Sequence, residues 1–424
     1  MIGDLAQQRG KFEEAVRDFQ EAADTTARLL KAHPDDPQRL FDQSQSEYWV
    51  GYVQWYRGHL HEAEAGFRRY LDLAQRMNKA KPGDHDWQLE DVFAKTNVGI
   101  VQTELGRADE ALPLLDDARA RMAQLARAHP EDAVSEGTII GWSVMAYATL
   151  GRDEDAIRAD DDKIAAALRA PNSGENRDAQ FLVANAHNEI AVWQRNLGRS
   201  DDALASVRRA LTELQALNAH DPANAENMSE IVSSQALLAE LLADVGDREA
   251  ARAQLQGAKT RLAELMARPI PKRFWRLTYS ARVADLQGRL ATGDEERKGA
   301  NAALAGFMTD VRLYEAQGGV VPQLDAILVA GAGVTQGDLL AQAGRGAQAR
   351  EAWLSAAARV RPIAERLNPA AMTQLGRLEF RLGNLQDARA WADKVLGTTY
   401  RHPAFADLQQ RLGPTQLAGG AARP

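Results

Sequence analysis

The chain contains no cysteine among its 424 residues, so disulfides, thiolate metal sites and cysteine nucleophiles are excluded together. Aromatic residues are scarce, at 6%. Strand signals, such as period-two alternation bounded by Asn-Gly turns, are missing. No run approaches the roughly 18 apolar residues of a membrane helix, and the opening MIGDLAQQRGKFEEA lacks the apolar core of a secretory signal. A cytoplasmic location without membrane contact is the expectation. A net charge of -8 supplies no global attraction to nucleic acid or to an anionic membrane.

Catalytic signatures are missing as well. There is no G-x-x-x-x-G-K-[ST], no H-E-x-x-H and no calcium loop. Gly331, Gly333 and Gly337 are not preceded by a strand pattern, which removes a dinucleotide loop. His59 and His61 are two apart, a spacing that separates side chains on a helix. His33, His129 and His220 recur in matching positions and read as structural. Asp160, Asp161 and Asp162 fall on a helix expected to face solvent. These readings predict a protein that is not an enzyme and uses no cofactor or metal.

What is present is self-similarity. RGKFEEA (9–15), RGHLHEA (57–63), LGRADEA (105–111), LGRDEDA (150–156), LGRSDDA (197–203) and VGDREAA (245–251) share one pattern, as do AGRGAQA (343–349) and LGNLQDA (382–388). In each, a glycine is followed five residues later by alanine. A weaker copy, TGDEERK (292–298), has Lys298 in place of the alanine. The glycines fall at 10, 58, 106, 151, 198, 246, 293, 344 and 383, mostly 45 to 51 residues apart and 39 at the last step. Such phasing defines a repeat protein.

Each unit reads as helix, glycine turn, helix. Ala111, Leu112, Leu115, Ala118, Met122 and Leu125 show the three- and four-residue spacing of a buried helical face. Glycine ends the first helix, and the acids after it suit the positive end of the next helix dipole. Twelve residues before the alanine a second small residue recurs, as at Gly51, Gly99, Ala191, Ala239, Gly337 and Gly376. AHPDD (32–36), AHPED (128–132) and AHDPA (219–223) end second helices at proline.

This pattern resembles the tetratricopeptide repeat, with a period near 48 residues in place of the usual 34. The long form, with its IGDL (2–5) and DWQLED (86–91) phrases, is similar to arrays in bacterial signalling proteins. The resemblance implies an all-α, right-handed α-solenoid, a superhelix of about nine helix pairs over residues 1–412. Glu47, Gln54, Lys95 and Gln102 stand where the family usually has large aromatics, so helix packing is expected to differ from the short form. The first repeat reads as truncated, and the chain is expected to be the C-terminal part of a larger bacterial signalling protein. Bends are expected near 268–272 and 316–323, and 413–424 reads as a flexible tail.

Three surfaces stand out. EYWVGYVQWY (47–56) places five aromatics within about 120° of one helix. The resemblance puts first helices on the concave groove, with Tyr48, Tyr52 and Trp55 lining it while Trp49 and Tyr56 lean toward the neighbouring repeat. Asn185, Asn188 and Arg195 share groove offsets in repeat five and suit a peptide backbone or carboxylate. The segment 267–291 carries Lys272, Arg273, Arg276, Tyr279 and Arg282, a combination suited to anion binding with stacking. The leading expectation is a scaffold or sensor arm that binds a protein or peptide partner in its groove. The alternatives are a sensor of nucleic acid or an anionic ligand through 267–291, and the regulatory region of an enzyme whose catalytic domain lies upstream.

Overall fold

In a computed structural model the structure describes residues 12–267 and 274–413, and every regular element among them is helical. The first helix of repeat one lies outside the described residues, as do the whole 268–272 bend and the tail beyond residue 413. Repeat one contributes its second helix, Phe12–Ala32. Complete helix pairs follow: Pro37–Arg57 with Leu60–Ala80, His85–Glu104 with Ala108–Ala128, Ala133–Thr149 with Asp153–Arg169, and Arg177–Asn196 with Ser200–His220. Repeats six to nine are Ala225–Asp244 with Arg248–Ala267, Phe274–Leu290 with Asp294–Ala316, Gln323–Gln342 with Gly346–Glu365, and Pro369–Leu382 with Leu385–Leu396. A last helix, Pro403–Leu412, covers the end. The chain is an all-α helical-repeat solenoid.

The repeat pattern has a physical cause at each position. Gly58 and Gly383 end their helices at φ 82° and 86°, where a side chain would be strained. Ala63, Ala111, Ala156, Ala203, Ala251, Ala349 and Ala388 are all 0% exposed. The second small position does not face these alanines directly. A Cβ on Gly51 would lie 2.6 Å from the Phe67 ring, and one on Gly99 would lie 2.7 Å from Leu115. In these two repeats the small residue admits the bulky side chain four positions beyond the alanine, so the crossing interlocks one knob with one gap. Repeat seven departs in both respects. Gly293 has φ -100°, and the buried alanine has moved on to Ala300, which leaves Lys298 exposed.

First helices start on a residue that the sequence reading passed over. Asp36, Asp84, Asn176, Asn224 and Asn368 each accept a backbone N–H from the opening turn. Such caps stabilise a helix by about 1 kcal/mol each. Glu47 and Lys95, which replace family aromatics, are buried. Lys95 reaches Asp91 at 2.7 Å and Asp117 at 2.6 Å, so ion pairs fill the space. One expectation needs correction. Gln323–Gln342 is long and apolar enough to cross a membrane by length and composition. Here its Ala326, Ala330 and Val334 are buried among apolar side chains of repeats eight and nine.

The solenoid comes round on itself after about six repeats. The Val320 N–H donates to the Gly58 carbonyl at 2.9 Å, and His59 Nε2 bonds the Gln317 carbonyl at 2.9 Å. Gln323 and Asn368 both donate to the Thr149 carbonyl, at 2.9 and 3.0 Å. Arg366 donates to the Gly106 carbonyl at 2.6 Å, and the Arg401 N–H to the Asn196 carbonyl at 2.6 Å. The turns of repeats two to five thus form a seam with loops of the last repeats. The 316–323 segment sits in that seam.

Candidate functional site

The seam encloses space. A cavity of about 730 Å³ lies inside the coil, walled by residues from repeats two to eight. That volume falls within the ordinary range for ligand sites. Trp55, Trp142, Phe181, Tyr279 and Tyr314 supply aromatic surface. Among the described lining residues seven are acidic, against the two cations Lys163 and Arg177.

Repeat five supplies one wall, on which Asp178, Leu182, Asn185 and Glu189 recur at helical spacing. Repeat six supplies the next through Glu226 and Glu230, one turn apart. Glu230 accepts from the Tyr279 hydroxyl at 3.2 Å and from Asn185 at 3.4 Å. Burial and then the charge of Glu189 push its pKa up to about 7. Glu226 is also raised, by burial and then by Asp178. Among the described residues, no ion pair joins Asp178, Glu226 or Glu230 to a lysine or arginine.

Lys163 is spoken for. Its ammonium lies 3.1 Å from Asp160, donates to Asn185 at 2.8 Å and pairs with Glu189 at 2.5 Å. Burial works against its charge, but Glu189 and Asp160 outweigh that and raise its pKa. Asp160 therefore corrects the expectation of a solvated acidic run. It is fully buried and accepts from Trp193 Nε1 at 3.1 Å, whereas Asp161 and Asp162 are exposed.

The singled-out residues divide among several places. Trp55, Asn185 and Tyr279, from repeats two, five and seven, meet around this one cavity. Trp55 Nε1 donates to Glu104 at 2.8 Å, and its ring stands edge-on to Trp142 at 6.2 Å. Tyr48 and Tyr52 are half-buried beside Phe67 and Tyr70 in the core of repeats two and three. Their rings are 5.8 Å apart, and burial, followed by Tyr52, pushes the Tyr48 pKa up to about 12. Trp49 stacks on Phe19 of repeat one at 5.6 Å.

Asn188 is buried and bonds Ser233 at 3.3 Å and Ser234 at 3.0 Å. Arg195 is buried against Glu240 and Asp244 of repeat six, with its Nε 2.8 Å from Asp244. Those two carboxylates take the place of the peptide carboxylate that its groove offset suggested. Arg282 lies 4.0 Å from Glu240, and Arg289 lies 3.0 Å from Asp244. Lys272, Arg273 and the Arg276 side chain lie outside the described residues. Sequence reasoning missed the wall acids, because nothing local marks Asp178, Glu226 or Glu230 as neighbours. The available signal was their repetition on first helices of consecutive repeats.

The tetratricopeptide repeat model matches residues 1–38 and 370–399. No curated protein matches the chain. Among solved structures, the apo form of RapI has 13% identity and a TM-score of 0.51, covering 76% of this chain and 99% of that one. BtubC of P. vanneervenii has 19% identity and a TM-score of 0.47, covering 62% and 95%. A tetratricopeptide repeat protein from Parabacteroides merdae has 14% identity and a TM-score of 0.40, covering 78% and 98%. The model match and the helical-repeat fold shared with RapI support an array of tetratricopeptide repeats.

Proposed function

We propose that the chain is a binding scaffold or sensor arm that takes an extended peptide, or a projecting loop of a partner protein, into its central cavity. The observation that supports this most directly is the cavity wall itself. Rigid aromatic side chains and hydrogen-bonding groups from seven successive repeats face one space. Aromatic anchors give large contact area at small entropic cost, which suits recognition of a mobile chain.

The test is selection from a random heptapeptide library displayed on phage, using the full chain as bait. A Thr138→Trp variant, which fills part of the cavity, serves as the control. Peptides enriched on the parent and not on the variant support the reading. Equal enrichment on both would place binding elsewhere on the solenoid, and no enrichment on either would remove peptide binding.

A further inference from the structure

The cavity wall comes from both banks of the seam. Trp55, Gly58, Leu60 and Glu104 stand on the side of repeats two and three, and Tyr314, Pro322 and Asp325 on the side of repeats seven and eight. These two groups face one space because the coil has closed. Tyr314 belongs to wall and seam at once. Its ring occupies the place that a side chain on Gly58 or Gly319 would need, and its hydroxyl donates to the Val320 carbonyl at 3.3 Å. The Val320 N–H in turn donates to Gly58.

The seam is held differently from the junctions between neighbouring repeats. Neighbours meet along helix faces, where Phe67, Leu115 and Met122 are fully buried. Across the seam the contacts are scattered hydrogen bonds to turn carbonyls: Val320 to Gly58, Gln323 and Asn368 to Thr149, Arg366 to Gly106, and Arg401 to Asn196. Val320 and Leu324 add apolar contact beside the cores of the facing repeats. Isolated bonds between loops open at lower cost than a helix face, so the coil yields first along this line.

We infer, resting on the peptide-binding reading above, that the seam is the moving part of the site: the coil opens and closes along it, and a segment bound across the cavity holds it shut. A segment that touches both banks gains contacts in the closed coil that the open coil cannot give. That difference is the free energy by which binding favours closure, and the coupling is reciprocal. Closure also reaches beyond the cavity. Neither Arg401 nor Asn196 belongs to the cavity wall, so the Arg401 amide reports the seam without touching the bound segment.

Amide hydrogen exchange on the full chain tests this. The chain alone is compared with the chain saturated by a heptapeptide that is selected on the parent and lost on Thr138→Trp. In the chain alone, the Val320 and Arg401 amides are expected to exchange faster than amides inside the first helices they face. Saturation is expected to slow both at least about ten-fold, the mark of a ligand that prefers the closed coil by that ratio. Arg366→Ala removes the bond to the Gly106 carbonyl from outside the wall of this cavity. It is expected to speed exchange at both amides about five-fold, as one hydrogen bond is lost from a unit that opens together.

A heptapeptide that binds the parent yet leaves the Arg401 amide unchanged would overturn the inference while leaving peptide binding intact. So would seam amides as slow as the helix interiors, or an Arg366→Ala effect confined to its own turn. If no heptapeptide binds the parent better than Thr138→Trp, both readings fall.

Discussion

Gly58, Gly106, Gly151 and Gly198 share a left-handed backbone with Gly246, Gly344 and Gly383, all at φ between 70° and 90°. Their surroundings differ. A Cβ on the first four would strike Tyr314, Gln323, Pro369 and Arg401 respectively, whereas one on the last three would meet nothing within 4 Å. Identical local motifs therefore answer to two constraints. All seven of these turns need glycine for their dihedral angle, and the turns of repeats two to five need it again because another part of the chain is pressed against them. The difference teaches that a repeat motif specifies the unit, while curvature of the whole array decides which units acquire a second partner.

The comparison can be broken most sharply at Gly151. The rigid Pro369 ring sits 2.3 Å from the would-be Cβ. Gly151→Ala combines left-handed strain with a steric clash, so a loss of about 2–5 kcal/mol is expected. Thermal melting measures it, and small-angle scattering should show a larger radius of gyration as the seam opens. A melting temperature no lower than that of Gly246→Ala would show that the seam contributes nothing.

Asn368→Ala comes next. Its amide donates to the Thr149 carbonyl across the seam, and its carbonyl oxygen caps the Ala371 N–H. Losing a cap and a buried bond should cost about 2–3 kcal/mol by denaturant titration. Asn368→Asp keeps the cap alone and should recover part of this. Gly246→Ala should cost only about 1 kcal/mol, since strain acts there without a clash. Its scattering profile should match the parent.

The smallest effect concerns a group away from the seam. Glu230 is held near pH 7 against an ordinary 4.5, so between those values the folded protein keeps a proton that the unfolded chain releases. Its contribution to stability is complete below the ordinary value and is lost as pH rises through about 7. Glu230→Gln should flatten the fall in melting temperature across that window. Glu189, Glu226, Asn185, Asn188 and Tyr279 face this carboxylate. An unchanged slope would assign the pH dependence to other buried acids such as Asp153, which is raised to about 6 by its burial.

Most of the fold was legible because its determinants are local. The glycine at each turn, the alanine at each crossing and the proline after each second helix act within a few residues of themselves. Repeat seven shows the limit of that reading. Lys298 marked a departure, and only the structure shows that the buried position moved to Ala300. The site was legible in fragments. Trp55, Asn185 and Tyr279 were singled out on three separate helices, yet their shared cavity depends on the path of the coil. Arg195 met the same difficulty from the other side, since its helical offset could not tell that Glu240 and Asp244 would cover it.

The seam also bears on how this chain reaches its native state. In an open array, contacts join neighbours only, so folding can begin in any unit and spread outward. Here Gly106 meets Arg366 across 260 residues, and Thr149 meets Gln323 across 174. Contacts that distant carry a loop-closure cost that grows slowly with length and are rewarded only once the intervening helices are in place. Ring closure is then the last step of assembly and the first to be undone. Refolding should show a fast phase of helix formation and a separate slower phase in which only the seam becomes protected from hydrogen exchange.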